Sequence, residues 1–461
     1  MSYNKTLSRA MLATILCAPA ASFAGGFSLN ELSASAMGVA NAGTAANPEN
    51  ATTVYYNPAG MSQLSGTNIS FGAAVLDIDA EAKDGSTSAT DSVGQPVSGS
   101  EGGDIADLSV LPNFFVTHEV NDRVDVGFGI HAPYGLAADY DNDFTGRYFA
   151  DKTEITVISF SPTLSVNNGE GLSMGVSFNV LYADGKLTKY QEYSATEAQL
   201  AAAGMPVTLS DGYFKAEGDD IATNFTVGLL YELNDRTQFG ITGRTATTLK
   251  LKGDATLTNF PDAATLTTGT AEEDAVVPVD IPASVTLGAR HKLTDSVTLL
   301  AGATWAEWSD FEALDVVSRE ENGAISSVSG AAKYGDSDII GHVSENWNDT
   351  WQFNVGAIWQ ATPHWAFKTG YAYDQSPVDE DFRTARVPSD DRHWLSLGTQ
   401  WKDDQSGWTV DVAAGMLLFD DVDVDEQEYT VDDEPAPGAA SYNGTYELDA
   451  WNAAIQVSKA F

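Results

Sequence analysis

Six histidines are the side chains of this sequence best suited to acid–base or metal chemistry, but their surroundings do not form a reactive site. A nucleophile needs an adjacent base and a group that orients that base. Strand parity places only His131 on an inner face, and no serine or carboxylate accompanies it. Zinc-ligand spacing and glycine-rich phosphate loops do not occur. The sequence predicts no enzyme, no metal site and no cofactor. The six are His118, His131, His291, His342, His364 and His393.

Carboxylates dominate the charge of the chain. The 461 residues include 65 acidic and 23 basic side chains, for a net charge of −42 and a pI near 4.1. Such a surface repels nucleic acid. The densest acidic run, residues 420–426, offers hard oxygens of the kind that calcium prefers, but it lacks the glycine turn and spacing of a calcium loop. We interpret it as a solvated loop, with divalent-cation binding as the alternative.

Two cations, Lys189 and Arg244, lie on the polar parity of strand-like segments. A carboxylate that enters a low-dielectric interior loses hydration and needs a positive or donor-rich partner. Both residues are therefore candidate anchors for an anionic ligand head group. The alternative role for each is pairing with a neighbouring acid.

The elements that would position these residues are strands. Apolar residues alternate with small or polar ones in segments of roughly ten residues, as in residues 351–359 and 172–182, and this period of two indicates strands with two different faces. The second face is too weakly charged for bulk solvent and too polar for a dry core, as in a transmembrane β-barrel. We expect about fourteen strands. They start near Asn68, Ser109, Val124, Glu154, Leu172, Ile221, Thr237, Ser284, Val297, Thr350, Trp365, His393, Trp408 and Tyr446.

The connections between these segments alternate in length. Short turns such as residues 234–235 and 362–363 alternate with long segments such as 190–220 and 251–281. Outer-membrane barrels have short periplasmic turns and long external loops, whereas a soluble β-sandwich would not sort its loops this way. No uninterrupted apolar run reaches eighteen residues, which argues against helical spans. The predicted fold class is all-β, a transmembrane antiparallel β-barrel.

Residues 1–24 have the features of a cleavable signal peptide. Lys5 and Arg9 form the basic region, residues 11–21 are apolar, and small residues precede the expected cleavage after Ala24. Lipoprotein processing at Cys17 is the alternative, but Leu16 is too large for the preceding position. The mature chain would contain no cysteine and therefore no disulfide.

Residues 25–66 are rich in small side chains and precede the first alternating strand. We predict that they form a hatch inside a barrel of residues 67–461, because small side chains suit a confined lumen. The alternative is a loose periplasmic tail. Farther along, residues 194–204 carry a capping-box pattern and a glycine stop, which predict a helix. That helix would be either a lid or ledge for an apolar ligand, or a simple fold-back of a long loop.

Two further strands carry specific signals. Gly127, Gly129 and Pro133 interrupt the pattern of the third strand, because proline cannot donate to the ladder and glycine weakens it. We predict a bend or gap in the wall there, the alternative being that Pro133 marks the strand's outer end. The last strand ends at Phe461, and this terminal aromatic resembles the signal that the outer-membrane barrel-assembly machinery reads, although Lys459 departs from the usual apolar residue.

The sequence resembles the long-chain fatty acid transporters of Gram-negative outer membranes, a family that also includes aromatic-hydrocarbon channels. The resemblance extends over most of the mature chain. It includes the hatch motif Asn57, Pro58, Ala59 and Gly60. The other matching segments are residues 26–31, 134–137, 305–311, 373–378 and 387–396, and the terminal Phe461.

The resemblance implies passive uptake of long-chain fatty acids or similar hydrophobic molecules across the outer membrane. The ligand would land on loop residues Leu200, Met205, Leu257 and Phe260, and would bind in a pocket beside the hatch N-terminus at Phe27. It would then leave sideways into membrane lipid, at the kink of Gly127, Gly129 and Pro133. Asn348 stands where some family members have a lysine that binds the carboxylate. An aromatic-hydrocarbon channel of the same fold is therefore an alternative function. A general porin, with an open lumen, is the other alternative.

Overall fold

The computed structural model describes residues 25–261, 268–321, 323–326, 333–334, 337–436, 438 and 440–461. The expected signal peptide and Cys17 lie outside the described residues. No helix within these ranges is long and apolar enough to cross a membrane. The strands are β1 Thr67–Ala82, β2 Ser88–Thr90, β3 Ser109–Asn121, β4 Val124–Asp139, β5 Lys152–Asn167, β6 Leu172–Gln191, β7 Gly212–Asn234, β8 Thr237–Arg244, β9 Thr247–Pro261, β10 Thr268–Ile281, β11 Ser284–Lys292, β12 Val297–Ala306, β13 Val316–Ser318, β14 Lys333–Tyr334, β15 Ser337–Gly341, β16 Thr350–Gln360, β17 Trp365–Asp374, β18 Arg392–Asp403, β19 Trp408–Phe419, β20 Val422–Gln427 and β21 Ser441–Ala460.

The helices are short. The α-helices are α1 Ala34–Met37, α2 Thr53–Tyr56 and α3 Ser194–Ala202, and the 3-10 turns are Thr44–Ala46, Pro58–Gln63, Trp308–Asp310 and Glu380–Phe382.

Fourteen of the described strands form a closed antiparallel ring, which confirms the predicted barrel. Each strand of this ring pairs with its neighbours in chain order, and β1 closes the ring on β21, with Asn68 opposite Ala460. Every expected strand start falls in or within two residues of one of these strands. The ring strands are β1, β3 to β8, β11, β12, β16 to β19 and β21.

The two faces of the wall strands differ as the alternation predicts. On β6, Met174 and Phe178 are 49% and 40% exposed, while Ser177 and Asn179 are nearly fully buried. Outward apolar side chains face lipid in a membrane barrel, and inward polar ones face the lumen. The wall is therefore built for an apolar surround and a polar, filled interior.

The sheet extends farther outward than the sequence predicts. Strand β7 begins at Gly212 rather than near Ile221, and most of residues 251–281, expected as a long loop, form the hairpin of β9 and β10. Inward residues such as Leu249, Leu251 and Leu257 are buried there, while their neighbours are polar. This alternation without a lipid-facing apolar row is too weak a strand signal to read from sequence.

Residues 25–66 fill the lumen, as predicted for a hatch and not for a tail. Their helical turns contact strands on opposite sides of the ring. Wall glycines make the room: a Cβ on Gly240 would lie 1.8 Å from the Ala45 carbonyl oxygen, and a Cβ on Gly175 would lie 2.3 Å from the backbone of Pro58. Only glycine tolerates such an approach of two backbones.

Polar contacts fasten the hatch to the wall. Lys368 Nζ on β17 lies 2.6 Å from Glu49 of the hatch and 3.1 Å from Asp411 of β19. The Asn57 side chain donates to the carbonyls of Ala45 and Leu229, and accepts a hydrogen bond from Ala59 N. The hatch motif thus links the hatch to β7 by hydrogen bonds.

Helix α3 spans Ser194–Ala202 and is followed by Gly204 at φ +82°, as expected. The capping-box prediction is wrong, because no side chain caps the first turn and Glu197 accepts a hydrogen bond from Leu209 N instead. The helix buries none of its residues, so its fold gives no support to a closed lid.

Candidate functional site

An apolar cavity lies where the hatch begins, between the extended strands and the outer loops. About 620 Å³ of empty space, which includes space open to solvent, lies between its lining residues. Its walls come from β4 to β7, from the β9–β10 hairpin and from the loops before β16 and β18. The apolar lining includes Phe27, Leu136, Ile155, Leu187, Leu251, Val279, Phe311, Trp347 and Val387.

Aromatic rings fix the hatch N-terminus at this cavity. The Phe27 ring centroid lies 4.7 Å from that of Trp308 and 5.8 Å from those of Phe311 and Trp347, in edge-on or tilted arrangements. Gly26 has φ +64°, and a Cβ there would approach the Trp308 ring to 2.5 Å. The first hatch residues therefore form a tightly packed wall of the cavity, and Phe27 lies where the family resemblance places it.

Two cations, Lys186 and the more deeply buried Arg386, line this cavity. The Arg386 side chain is 1% exposed and donates to Thr153 Oγ1 at 3.0 Å and to the Thr188 carbonyl at 3.1 Å. Its Nε has no partner, and no carboxylate of the described residues lies within ion-pair distance of it. Burial lowers the pKa of this guanidinium, but arginine stays protonated in proteins. The Arg386 guanidinium thus has no ion-pair partner among the described residues.

Sequence reasoning missed Arg386, although it directly precedes a segment that carries the family resemblance. It lies in the loop between β17 and β18, where strand parity gives no indication of which way a side chain points. Asn348, at the position where a lysine was expected, instead donates to Asp379 on the exposed surface and does not line the cavity.

Three carboxyl groups lie in the field of Arg386, those of Glu426, Glu345 and Asp151. The Asp151 carboxylate accepts hydrogen bonds from the hydroxyls of Thr188 and Tyr213. Glu345, also in the cavity wall, accepts a hydrogen bond from Trp347 Nε1 at 2.9 Å, and burial raises its pKa to about 8. Glu426 accepts one from Ala385 N, and burial raises its pKa to about 7. Glu345 is therefore mostly uncharged at neutral pH and leaves the charge of Arg386 available to a ligand.

The barrel wall opens next to this cavity. Pairing between β3 and β4 ends at Phe114 and Ile130, so the rest of β4 leaves β3. On its other side, β4 bulges against β5, with Ala132 and Pro133 opposite the single residue Ile158.

The hatch takes up the edge of β4 that β3 vacates. Leu29 N donates to the Pro133 carbonyl at 3.0 Å, and Gly135 N donates to the Phe27 carbonyl at 2.9 Å. These bonds satisfy backbone groups that lipid could not. Phe27, which lines the apolar cavity, is therefore hydrogen-bonded to β4, the strand at the opening.

The structure corrects the predicted role of two glycines in this opening. Pro133 lies in the bulge, but pairing continues without interruption through Gly127 and Gly129 on both sides. A Cβ on Gly127 would lie 2.6 Å from Met61 Sδ, and a Cβ on Gly129 would lie 2.7 Å from the Phe115 ring. These glycines make room for the hatch and for Phe115, and they do not break the ladder.

The other predicted anchors and landing residues are dispersed. Lys189 borders a separate outer pocket and lies 3.7 Å from Glu428. Arg244 borders a polar cavity lower in the barrel. The four predicted landing residues do not line the apolar cavity. Leu257 and Phe260 belong to a cluster under the β9–β10 hairpin, and Leu200 and Met205 lie on the α3 loop.

An Asp–His–Ser array that the sequence did not reveal lies on the outer loops. His342 Nδ1 is 2.7 Å from Asp315, and its Nε2 is 3.0 Å from Ser344 Oγ. The Ser344 hydroxyl donates to Asp433, and the adjacent amides of Val343 and Glu345 are bonded to backbone carbonyls. An acyl-transfer site needs free donors for an oxyanion, and these two amides are not free to supply them. The array joins the loops that carry Asp315, His342 and Asp433.

A plugged fourteen-strand barrel with lipid-facing walls and an apolar cavity defines an outer-membrane transport protein. The family model for outer membrane transport proteins of the OMPP1/FadL/TodX type matches residues 15–461. The chain belongs to this family and is a β-barrel of the Gram-negative outer membrane.

Relatives match over nearly their full length. A long-chain fatty acid transport protein of Escherichia coli O6:H1 is 26% identical over 453 residues, which cover 95% of this chain and 94% of the relative. A 47 kDa outer membrane protein of Pasteurella multocida is 29% identical over 416 residues, which cover 87% of this chain and 90% of the relative.

Solved structures share the fold. A Pseudomonas aeruginosa FadL homologue superposes with a TM-score of 0.82 at 22% identity, over 95% of this chain and all of the other. The Pseudomonas putida toluene transporter TodX gives 0.67 at 17% identity, over 94% of this chain and 99% of the other.

Proposed function

We propose that this barrel takes up long-chain fatty acids passively, as carboxylates held at Arg386 in the apolar cavity. The observation that carries the proposal is a buried arginine without an ion-pair partner in a cavity with a mainly apolar lining. A charged head beside a long apolar chain matches this combination. The related fatty acid transport proteins support the same substrate class, whereas the fold shared with a toluene transporter keeps neutral aromatics as the second candidate.

Exit through the wall opening completes the proposed path. An acyl chain gains roughly 0.8 kcal/mol for each buried CH₂, so it passes more easily from the cavity to lipid than to periplasmic water. The opening between β3 and β4 lies beside the cavity, because the hatch residue Phe27 lines the cavity and also bonds to Gly135 of β4. The filled lumen supports this lateral route over passage through an open pore.

Replacing Arg386 tests the head-group assignment. We expect R386M to weaken dodecanoate binding about tenfold to a hundredfold, because charge-assisted hydrogen bonds contribute about 1.5–3 kcal/mol. Binding of toluene or dodecane should stay the same. Trp347 lines the cavity, so tryptophan fluorescence of the purified barrel reports both ligands.

The matched control is R383M, which removes a neighbouring buried arginine that already pairs with Asp390 at 3.2 Å. It should leave dodecanoate binding unchanged. Equal losses of dodecanoate and toluene in R386M would contradict a head-group role and favour a hydrocarbon channel. Rapid sugar uptake by cells that carry the wild-type barrel would point to a general porin.

Binding should also depend on pH through Glu345. Its pKa is raised to about 8, and its protonated form leaves Arg386 uncompensated. Affinity for an anion is therefore fully present well below this pKa and declines as the pH rises through about 8. The measurement is a titration with dodecanesulfonate, which stays ionised throughout.

The E345Q variant should lose the decline near pH 8 and keep only the part that Glu426 causes near pH 7, because its own side chain cannot ionise. A decline of the same size in E345Q would assign the pH dependence to another group.

A further inference from the structure

A partly buried arginine lies below the apolar cavity, at the wall opening. Arg244, at the end of β8, borders a polar cavity of about 840 Å³ and a smaller pocket of about 190 Å³ behind the β4 bulge. Its guanidinium lies 4.6 Å from the centre of the Tyr55 ring and donates to the Tyr55 hydroxyl at 3.4 Å and to Thr226 Oγ1 at 3.3 Å. Tyr134 lines both of these cavities with it. Within the described residues, no carboxylate forms an ion pair with it.

The pocket behind the bulge also contains polar atoms without partners. Asn224 is 2% exposed, and its Nδ2 has no hydrogen-bond partner, although the Asn224 carbonyl accepts from Asn179. His131 is 3% exposed, and its Nδ1 has no partner. Buried polar groups are nearly always satisfied, so unpaired ones call for an explanation. Both residues line the same pocket as Arg244.

This cluster lies directly along the proposed path. Tyr134 borders both Arg244 cavities, while Leu136, two residues farther along β4, lines the apolar cavity above. Two residues of a strand span about 7 Å. The Phe27 and Tyr134 rings, 6.1 Å apart, separate the upper and lower spaces. Pro133 of the bulge also lines the small pocket.

We propose that Arg244, Asn224 and the tyrosine hydroxyls form a second carboxylate-binding site, which receives the fatty-acid head group after it leaves Arg386. The inference rests on the proposed function. A carboxylate accepts up to about four hydrogen bonds, and the cluster supplies a guanidinium, an unpaired amide N–H and two hydroxyls. The charged head group thereby stays solvated by protein while the acyl chain enters lipid through the opening.

Two sites predict two bound states. In nanodiscs that contain the wild-type barrel, dodecanoate labelled with ¹³C at the carboxyl carbon should show two protein-bound carboxyl resonances. R386M should remove one and R244M the other, and R244K should restore the second. The exposed R236M, which removes an arginine paired with Asp295 in a turn, is the matched control and should retain both.

An isosteric variant tests the same site without a change of size. N224D keeps the oxygen that accepts from Asn179 and replaces the unpaired N–H with an anionic oxygen that pairs with Arg244. We expect N224D to remove the lower resonance and to slow dodecanoate uptake by about tenfold or more, with unchanged uptake of dodecane.

The alternative outcomes separate this inference from the proposed function. A single bound resonance that only R386M removes would overturn the second site and leave the first intact. No bound resonance in the wild type would overturn both. Equal slowing of dodecanoate and dodecane in R244M and N224D would mean that the cluster only supports the fold.

Discussion

Deletion of residues 25–66 is expected to turn a closed barrel into a channel with large, steady conductance. The hatch occupies the lumen and contacts the wall around its circumference. Glycines such as Gly240 and Gly370 lie where the hatch backbone approaches the wall most closely. Without it, a bore between that of filled eight-stranded and open sixteen-stranded barrels would contain only water. Single-channel recording in planar bilayers measures the effect, and the full-length barrel should show little conductance.

The control for this deletion is a folding check, because the hatch also contributes buried charge. Lys368 would keep Asp411 but lose Glu49, and breaking a buried ion cluster destabilises by about 3–5 kcal/mol. Faster migration of the unheated variant than of the heated variant on a denaturing gel would establish that the barrel persists. Unchanged conductance in such a folded barrel would show that the lumen is closed by the outer loops and not by the hatch.

The transmembrane part of the fold was predictable because a lipid-facing strand carries its own signal. Each wall strand must present apolar residues at every second position, and the starts at Leu172, Thr237 and Trp365 coincide with the observed ones. The outer extensions were not predictable to the same extent. Strands β9 and β10 face solvent and loops instead of lipid. Their outward side chains are therefore not required to be apolar, and the sequence signal is weaker.

Features of the candidate site that depend on strand backbone, such as the bulge, were predictable. Features that depend on how loops pack together were not. Pro133 marked the bulge because proline is restricted in any strand. Gly127 and Gly129 were assigned to the same break, but their absent side chains make room for Met61 of the hatch and for Phe115, the partner of Gly129 on β3. Arg386 was missed for a similar reason, because only the closed fold brings its loop over the hatch.

Deletion of Pro133 should stop lateral exit while leaving the upper cavity able to bind. Because Ala132 and Pro133 lie opposite Ile158 alone, removing one residue restores a one-to-one register between β4 and β5. The straightened strand can then continue to pair with β3 beyond Ile130, which closes the opening. Valine at Gly127 or Gly129 would not be a clean test, because its Cβ would collide with Met61 or Phe115.

The expected loss of uptake is large because the alternative route is unfavourable. Exposing roughly eleven carbon groups of dodecanoate to periplasmic water costs about 9 kcal/mol, so closing the wall should reduce uptake to that of cells without the barrel. Dodecanoate binding, measured by tryptophan fluorescence, should remain. P162A is the matched control, since Pro162 lies on β5 in regular register with Phe128. Normal uptake in a folded Pro133 deletion would rule out exit at β4, and the ligand would then have to pass the hatch toward the periplasm.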